Sequence, residues 1–418
     1  VKHKFDGYRC SLCETEYSPD EAIYTCRKDG GNLDIFYDYA ALSQDLSPEV
    51  ITTSREESLW RYLPLLPVQD LQGTGTPLHA VGWTPTYAPP ALREQLGLPS
   101  LWVKDESGNP TASFKDRASA VVVARAQELG VQVVVTASTG NAGAALAGMA
   151  AAVGQKAIIF APRTAPPAKI AQLLIYDAQV LLVDGNYDQA FDLSIQAANE
   201  FGWYCRNTGY NPFTLEGKKS AALEIWERTI IQQSLSSALN VFVSVGDGNI
   251  ISGLHKGFKD LQSLGWLDLM PRIFGVQAEG SAAITNAFSA GAEEIKPVAA
   301  STLADSISVD LPRDGVRAVR AARQTGGAYV LVSDAEILSA ISKLGKVGIF
   351  AEPAGATAYA GFLKALERGM INPEDAILVL NTGSGLKDVG AAMKAVNSAP
   401  VIEPTLAAVE KVLHRISL

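Results

Sequence analysis

Lys115 is the residue of this 418-residue chain whose setting best suits an imine-forming amine. The stretch ESGNPTASFKDRASA delivers it from a polar loop bearing Gly and Pro into a run with helical apolar spacing. A nucleophilic amine must be partly deprotonated, and a place against apolar Phe114 beside a helix N-terminus lowers a lysine's pKa. Taken alone, a lysine at a helix start is more often a solvated ammonium. Other segments change that balance. The strand VQVVVT runs through ASTGNAG into a helix, so Ser138, Thr139, Gly140 and Asn141 sit where backbone N–H groups point outward unpaired and can hold an anion. Asn141 can also reach a phenolate-type oxygen, while Ser138 and Thr139 suit a carboxylate.

A second strand, NVFVSV, runs into GDGNIISG. There Gly246 and Gly248 permit close backbone approach to a phosphate along the turn Gly246, Asp247, Gly248, Asn249 and Ile250. This is neither GxGxxG nor a nucleotide P-loop, since no Gly-Lys-Ser/Thr follows, and a cofactor phosphate fits it better than ATP or NAD. Asp247 would repel that phosphate unless its side chain turns away. A third strand, AILVL, ends at NTGSGLKD, where Thr382 offers a neutral hydroxyl. Facing a pyridine nitrogen, such a hydroxyl would leave the nitrogen largely unprotonated and the ring a weaker electron sink.

Loops of this kind need a scaffold, and the middle of the chain supplies one by alternating strand and helix patterns. LWVKDE, VQVVVTAS, KAIIFAP and QVLLVDG are read as strands separated by the helices DRASAVVVARAQELG, NAGAALAGMAAAVG and PAKIAQLLIYDA. The helix YDQAFDLSIQAANEFG follows, then the loop RNTGYNPFTLEG and a long helix beginning near Lys218. RIFGVQAE, a helix from Ser281 and AYVLVSD come next, before two further helices, AILVL and a closing helix. Such alternation predicts an α/β fold with mostly parallel sheets flanked by helices. The first forty residues read instead as short strand-like pieces, a small appended ribbon. A Pro-rich irregular segment from Ser43 to Pro77 contains a short helix in SREESLWRYLPLLP.

Composition narrows the function classes. A formal charge of −9 without clustered Lys and Arg argues against nucleic-acid binding. There is no apolar run of about 20 residues and no signal-peptide core at the start, so the cytoplasm is expected. Four Cys in so long a chain make no disulfide framework. Cys10, Cys13 and Cys26 nevertheless have zinc-ribbon spacing, with Asp29 as the nearest fourth donor. A Cys3Asp zinc site is chemically possible, yet structural sites strongly favour Cys and His, so a ribbon that has lost its metal is the expectation and bound zinc the alternative. His3, His79, His255 and His414 show no metal or triad spacing, and Cys205 is read as core.

Taken in order, NPTASFKDRAS, ASTGNAG, VGDGNIISG, ADSISV, EPAGATAYAG and NTGSGLKD resemble the threonine synthase-like branch of the fold type II pyridoxal 5'-phosphate enzymes, the tryptophan synthase beta superfamily. The resemblance implies two lobes with the cofactor between them: a large lobe over 41–135 and 215–418, a small mobile lobe over 136–214, and a zinc-ribbon-like segment over 1–40. It implies that Lys115 carries the cofactor as a Schiff base beside Phe114 and that Asn141 meets the ring hydroxyl. Gly246 to Asn249, with Ile250, would form the phosphate loop, Thr382 would face the pyridine nitrogen, and Ser138, Thr139, Asn141 and Ala142 would bind substrate. It also implies a homodimer and a carbon–oxygen lyase that converts O-phospho-L-homoserine and water to L-threonine and phosphate. Two departures stand out. The ribbon of the family would put a fourth Cys at position 29. Many members also carry an Arg immediately before LEG that helps hold the substrate phosphate; here that residue is Thr214, and Lys218, Lys219, Arg163 and Lys104 are the candidate substitutes. Thr214 keeps open the alternative of β-replacement or β-elimination on phosphoserine, serine or threonine, as in a cysteate synthase or a dehydratase.

Overall fold

The computed structural model describes residues 4–21, 23–69, 75–165 and 167–416, with no side-chain description for 414–416. His3 and the side chain of His414 therefore lie outside the described residues, as does 70–74 of the Pro-rich segment. Mostly apolar strands assemble into two sheets, one wholly and one mainly parallel. The larger has six strands in the order Tyr329–Val332, Arg272–Ala278, Asn240–Ser244, Ile377–Asn381, Leu101–Asp105 and Thr86–Tyr87. Only Thr86–Tyr87 runs antiparallel. The smaller has four parallel strands, Gln179–Val183, Lys156–Pro162, Val133–Ala137 and Tyr204–Cys205. It thus begins at Val133, just ahead of position 136.

The ribbon is a three-stranded antiparallel sheet, Glu16–Tyr17, Gly7–Cys10 and Leu33–Phe36. The segment containing LWRYLPL forms a 3-10 turn over Leu59–Leu65, kinked at Tyr62 two residues before Pro64. The helix expected near Lys218 starts earlier, at Phe213, directly after Pro212. A helix that the sequence reading leaves out, Gly315–Gln324, buries Ala318, Val319, Ala321 and Ala322 against the helix Asn249–Ser263. Its apolar stripe is made of small residues between arginines, so its periodicity is weak to the eye.

Helix starts differ in how their free N–H groups are answered. Tyr187–Phe201 and Asp334–Gly345 begin with complete capping boxes, Asn186 with Gln189 and Ser333 with Glu336. Lys115–Glu128, Asn141–Ala152, Asn249–Ser263 and Pro353–Glu367 begin without any side-chain cap. All four of these uncapped starts lie around one cleft between the two sheets, leaving first-turn N–H groups available to a ligand.

Candidate active site

Two strand-end loops of the larger sheet, after Leu101–Asp105 and Ile377–Asn381, are tied to each other and to the segment that leads into the helix Pro353–Glu367. The Phe114 N–H donates to the Thr382 carbonyl at 2.9 Å, and Ser384 N–H donates to Ala112 O at 3.1 Å. An isolated bridge pairs Ser113 with Gly383, and another pairs Ala351 with Ser384. Ala112 is held at φ 61°, a left-handed conformation that a non-Gly residue adopts only under constraint. These contacts aim the first helical residue, Lys115, into the cleft, while Phe114 is fully buried in the core behind it.

Lys115, Gly246, Asp247, Gly248, Asn249, Ile250 and Thr382 line one inner cavity. Ser138, Thr139, Asn141 and Ala142 join Lys115 and Asp247 around an adjoining cavity of about 410 Å³. The structure therefore brings the expected residues together, with Phe114 as a packing residue beneath them. Burial lowers the pKa of Lys115, opposed by the nearby Glu352 carboxyl and reinforced by Arg206.

The glycines of the phosphate loop have a further reason to be glycine. A Cβ on Gly246 would lie 2.9 Å from Ile307 Cα, and one on Gly248, at φ 89°, would lie 2.7 Å from Asp314 O. Close packing of the segment 306–318 demands them as much as a ligand does. The Asp247 carboxylate accepts a 3.3 Å hydrogen bond from Arg313 N–H. Burial raises its pKa, while Lys218 and Lys115 oppose that rise, so its charge is answered by cations.

Two participants escaped the sequence reading. Glu352, the residue before the helix Pro353–Glu367, accepts both hydrogen bonds that Asn141 Nδ2 makes, at 2.8 and 3.0 Å. Asn141 is thus bound to a carboxyl group as well as available at the cavity. Burial raises the pKa of Glu352. The other is Arg206, fully buried at the end of the strand Tyr204–Cys205. It donates to Thr208 Oγ1 at 2.6 Å and to Ser119 Oγ at 3.2 Å. Its Nη2 has no partner among the described residues, and neither has Ser244 Oγ, which lines the inner cavity. Burial lowers the Arg206 pKa to about 10, which leaves it charged at neutral pH. An arginine directly after a buried strand and before the loop NTGYNPF was the available signal.

The proposed substitutes for the missing arginine separate clearly. Lys218 lines the inner cavity and donates to Asn249 Oδ1 at 2.5 Å. Burial, Arg206 and Lys115 together push its pKa well down. Lys219 is instead buried with Asp260 at 2.9 Å, Lys104 with Glu224 at 2.7 Å, and Arg163 is exposed beside Asp184 at 3.5 Å. Thr214 is buried, its hydroxyl donating to Asn211 O at 2.7 Å. Its hydroxyl also lies 3.4 Å from Asn249 Oδ1, so it packs beneath the phosphate turn without adding a positive charge there.

These residues fit pyridoxal phosphate. They offer a lysine of lowered pKa, an uncapped helix start with Lys218 and an orphaned Ser244 hydroxyl for the phosphate, and Thr382 and Asn141 for the ring.

Comparison with known proteins agrees with that fit. Residues 78–383 match the model of the pyridoxal-phosphate dependent enzyme family. The chain is 40% identical to a threonine synthase of Methanocaldococcus jannaschii over 98% of its own length and 99% of the relative's. It is 36% identical to one of Methanosarcina acetivorans, over 97% and 98%. Among solved structures, the processed form of threonine deaminase isoform 2 from Solanum lycopersicum superposes with TM-score 0.65 at 22% identity, covering 79% of this chain and 92% of that one. Maize serine racemase superposes with TM-score 0.63 at 22% identity, covering 80% and 94%. The structural likenesses establish the fold.

Proposed function

We infer the activity from the premise that this chain belongs to the family of pyridoxal-phosphate-dependent enzymes and, within it, to the threonine synthases. The reaction we propose is conversion of O-phospho-L-homoserine and water to L-threonine and phosphate. The observation that carries it, beyond the near-full-length likeness, is Arg206: a buried guanidinium with an unpartnered Nη2 lining the outer cavity. A buried guanidinium that hydrogen-bonds only to hydroxyls, with one nitrogen unpartnered and its carboxylates at a distance, is costly. A phosphorylated substrate would relieve that cost, and an unphosphorylated hydroxy amino acid would not.

When bound, pyridoxal phosphate supplies the electron sink that makes the α- and β-carbons of an amino acid acidic. The chain's own residues divide the remaining work. Asn249, Ile250, Lys218 and the Gly246–Gly248 turn hold the cofactor phosphate, and Thr382 and Asn141 orient the ring. The turn from Ser138 to Ala142 takes the substrate α-carboxylate at the uncapped start of Asn141–Ala152. Arg206 takes the substrate phosphate, binds it as it leaves the γ-carbon, and stands in for the arginine that Thr214 replaces. Lys115, its pKa lowered by burial, is the base that removes and returns protons at neighbouring carbons. A cytoplasmic homodimer is the form we propose, on the acidic composition and the resemblance.

The test compares O-phospho-L-homoserine with O-phospho-L-serine on the cofactor-loaded protein, reading free phosphate and threonine. Threonine and phosphate in equal amounts from the former are expected; phosphate from phosphoserine alone overturns the reading. Lys115→Ala is expected to lose the cofactor's visible imine absorbance and at least about 10³-fold in turnover.

A further inference from the structure

We propose that Cys10, Cys13, Cys26 and Asp29 form a closed, tetrahedral binding site for one thiophilic divalent cation, with zinc the best match to this donor set. The ribbon brings one donor atom from each residue within 4.8 Å of every other. Tetrahedral bonds of about 2.3 Å to sulfur and about 2.0 Å to oxygen require sulfur–sulfur edges of about 3.8 Å and sulfur–oxygen edges of about 3.5 Å. Cys13 Sγ and Cys26 Sγ are 3.7 Å apart, and Cys10 Sγ and Asp29 Oδ1 are 3.4 Å apart. Both edges match.

The backbone makes the same point twice. Cys10 to Glu14 and Cys26 to Gly30 are the same turn. In each, the fifth residue donates its N–H to the carbonyl of the first, Glu14 to Cys10 at 3.1 Å and Gly30 to Cys26 at 2.9 Å, and has positive φ, 59° and 71°. The third residue of each turn points its N–H at the first sulfur, Leu12 to Cys10 Sγ at 3.3 Å and Lys28 to Cys26 Sγ at 3.4 Å. N–H groups converging on a sulfur stabilise thiolate, the form that binds metal. Asp29 therefore occupies in the second turn the place Cys13 has in the first, and Gly31 N–H fixes its Oδ1 at 2.9 Å. The expectation that Asp29 removes the metal weighed residue type alone; the donor edges favour retention with a carboxylate ligand.

With four protein ligands the site has no open position for substrate, so its role is to hold the ribbon's fold. That fold reaches the catalytic cleft by one chain of bonds. Asp34 of the ribbon accepts from Arg317 at 2.6 Å, Arg317 donates to Asp314 at 2.5 Å, Asn249 donates to Asp314 at 2.6 Å, and Lys218 donates to Asn249.

Elemental analysis of the cofactor-loaded protein, purified with a non-chelating reductant, is expected to find about one zinc per chain. Asp29→Ala and Cys13→Ser are expected to lower that content at least about tenfold while keeping the bound-cofactor absorbance, and Asp29→Cys to retain it. Replacement by cobalt should give thiolate-to-metal charge-transfer absorption that Cys13→Ser weakens. A metal-free native protein, whether its ribbon thiols titrate freely or Cys13 and Cys26 are found as a disulfide, overturns the proposal. So does full metal content in Asp29→Ala.

Discussion

Two groups of buried charge lie within a few residues of one another and are built on opposite plans. Lys104, Glu106, Arg117 and Glu224 are all completely buried and balanced, two cations against two carboxylates. Lys104 meets Glu224 at 2.7 Å, Arg117 meets Glu106 at 2.6 Å, and Thr84 Oγ1 donates to Glu106 at 2.8 Å. Lys115, Arg206 and Lys218 are cations gathered at the cleft, opposed by Asp247 and by Glu352, whose pKa burial raises. The first group closes on itself and clamps the helix Lys115–Glu128 to Phe213–Ile225 and to the strand Leu101–Asp105. The second stays open toward a cavity. Full burial alone therefore does not mark function in this protein; burial with an unanswered charge does.

The sharpest way to break that contrast is to unbalance the closed group. Arg117→Met leaves two buried carboxylates sharing Lys104, and is expected to destabilise the protein by about 4 kcal/mol. Urea unfolding checks it, and substrate KM in the protein that remains folded should be unchanged. An Arg117→Met variant as stable as its parent would mean that the closed group contributes nothing. Removing a cation from the open group should do the reverse. Arg206→Met is expected to lower kcat/KM for the phosphorylated substrate about 10²-fold, or about 3 kcal/mol, chiefly through KM. Its unfolding midpoint should fall far less than that of Arg117→Met, because the change leaves only the Ser119 and Thr208 hydroxyls without a donor and breaks no ion pair. Loss of stability with unchanged KM would place Arg206 with the structural charges.

The parts of this molecule legible in its sequence are those set by neighbouring residues. Continuous apolar runs such as VQVVV and AILVL announce parallel strands, and glycines at their ends announce the turns that carry Lys115's companions. The α/β class, Asn141, the Gly246–Ile250 turn and Thr382 all follow from such signals, and they share one site with Lys115. What was not legible depends on partners far along the chain. Nothing near Lys104 or Lys219 says that Glu224 or Asp260 will neutralise it, and nothing near Asn141 points to Glu352. Nor does the local sequence reveal that Gly246 and Gly248 pack against Ile307 and Asp314. Asp29 is the opposite case: its residue type argued against a metal ligand, and the donor distances and repeated turn geometry favour one.

A third class of buried ionisable group tests the same principle from the neutral side. His255, on the helix Asn249–Ser263, is 8% exposed. Burial lowers its pKa from 6.5 to about 4, with Lys259 adding to the effect and Asp34 opposing it. A group whose folded pKa is depressed contributes stability above its unfolded pKa and loses it as pH falls toward the folded value. The window therefore runs from 6.5 down to about 4. Between pH 7 and pH 5 the loss from this residue should be about 2 kcal/mol. Urea midpoints of the parent and of His255→Gln across that range check it. The variant should lie closer to the parent at pH 5 than at pH 7, since Gln takes up no proton. Parallel pH profiles would mean that His255 titrates alike in the folded and unfolded chain, and that its burial in the helix face is relieved by water or by a charge the present contacts do not supply.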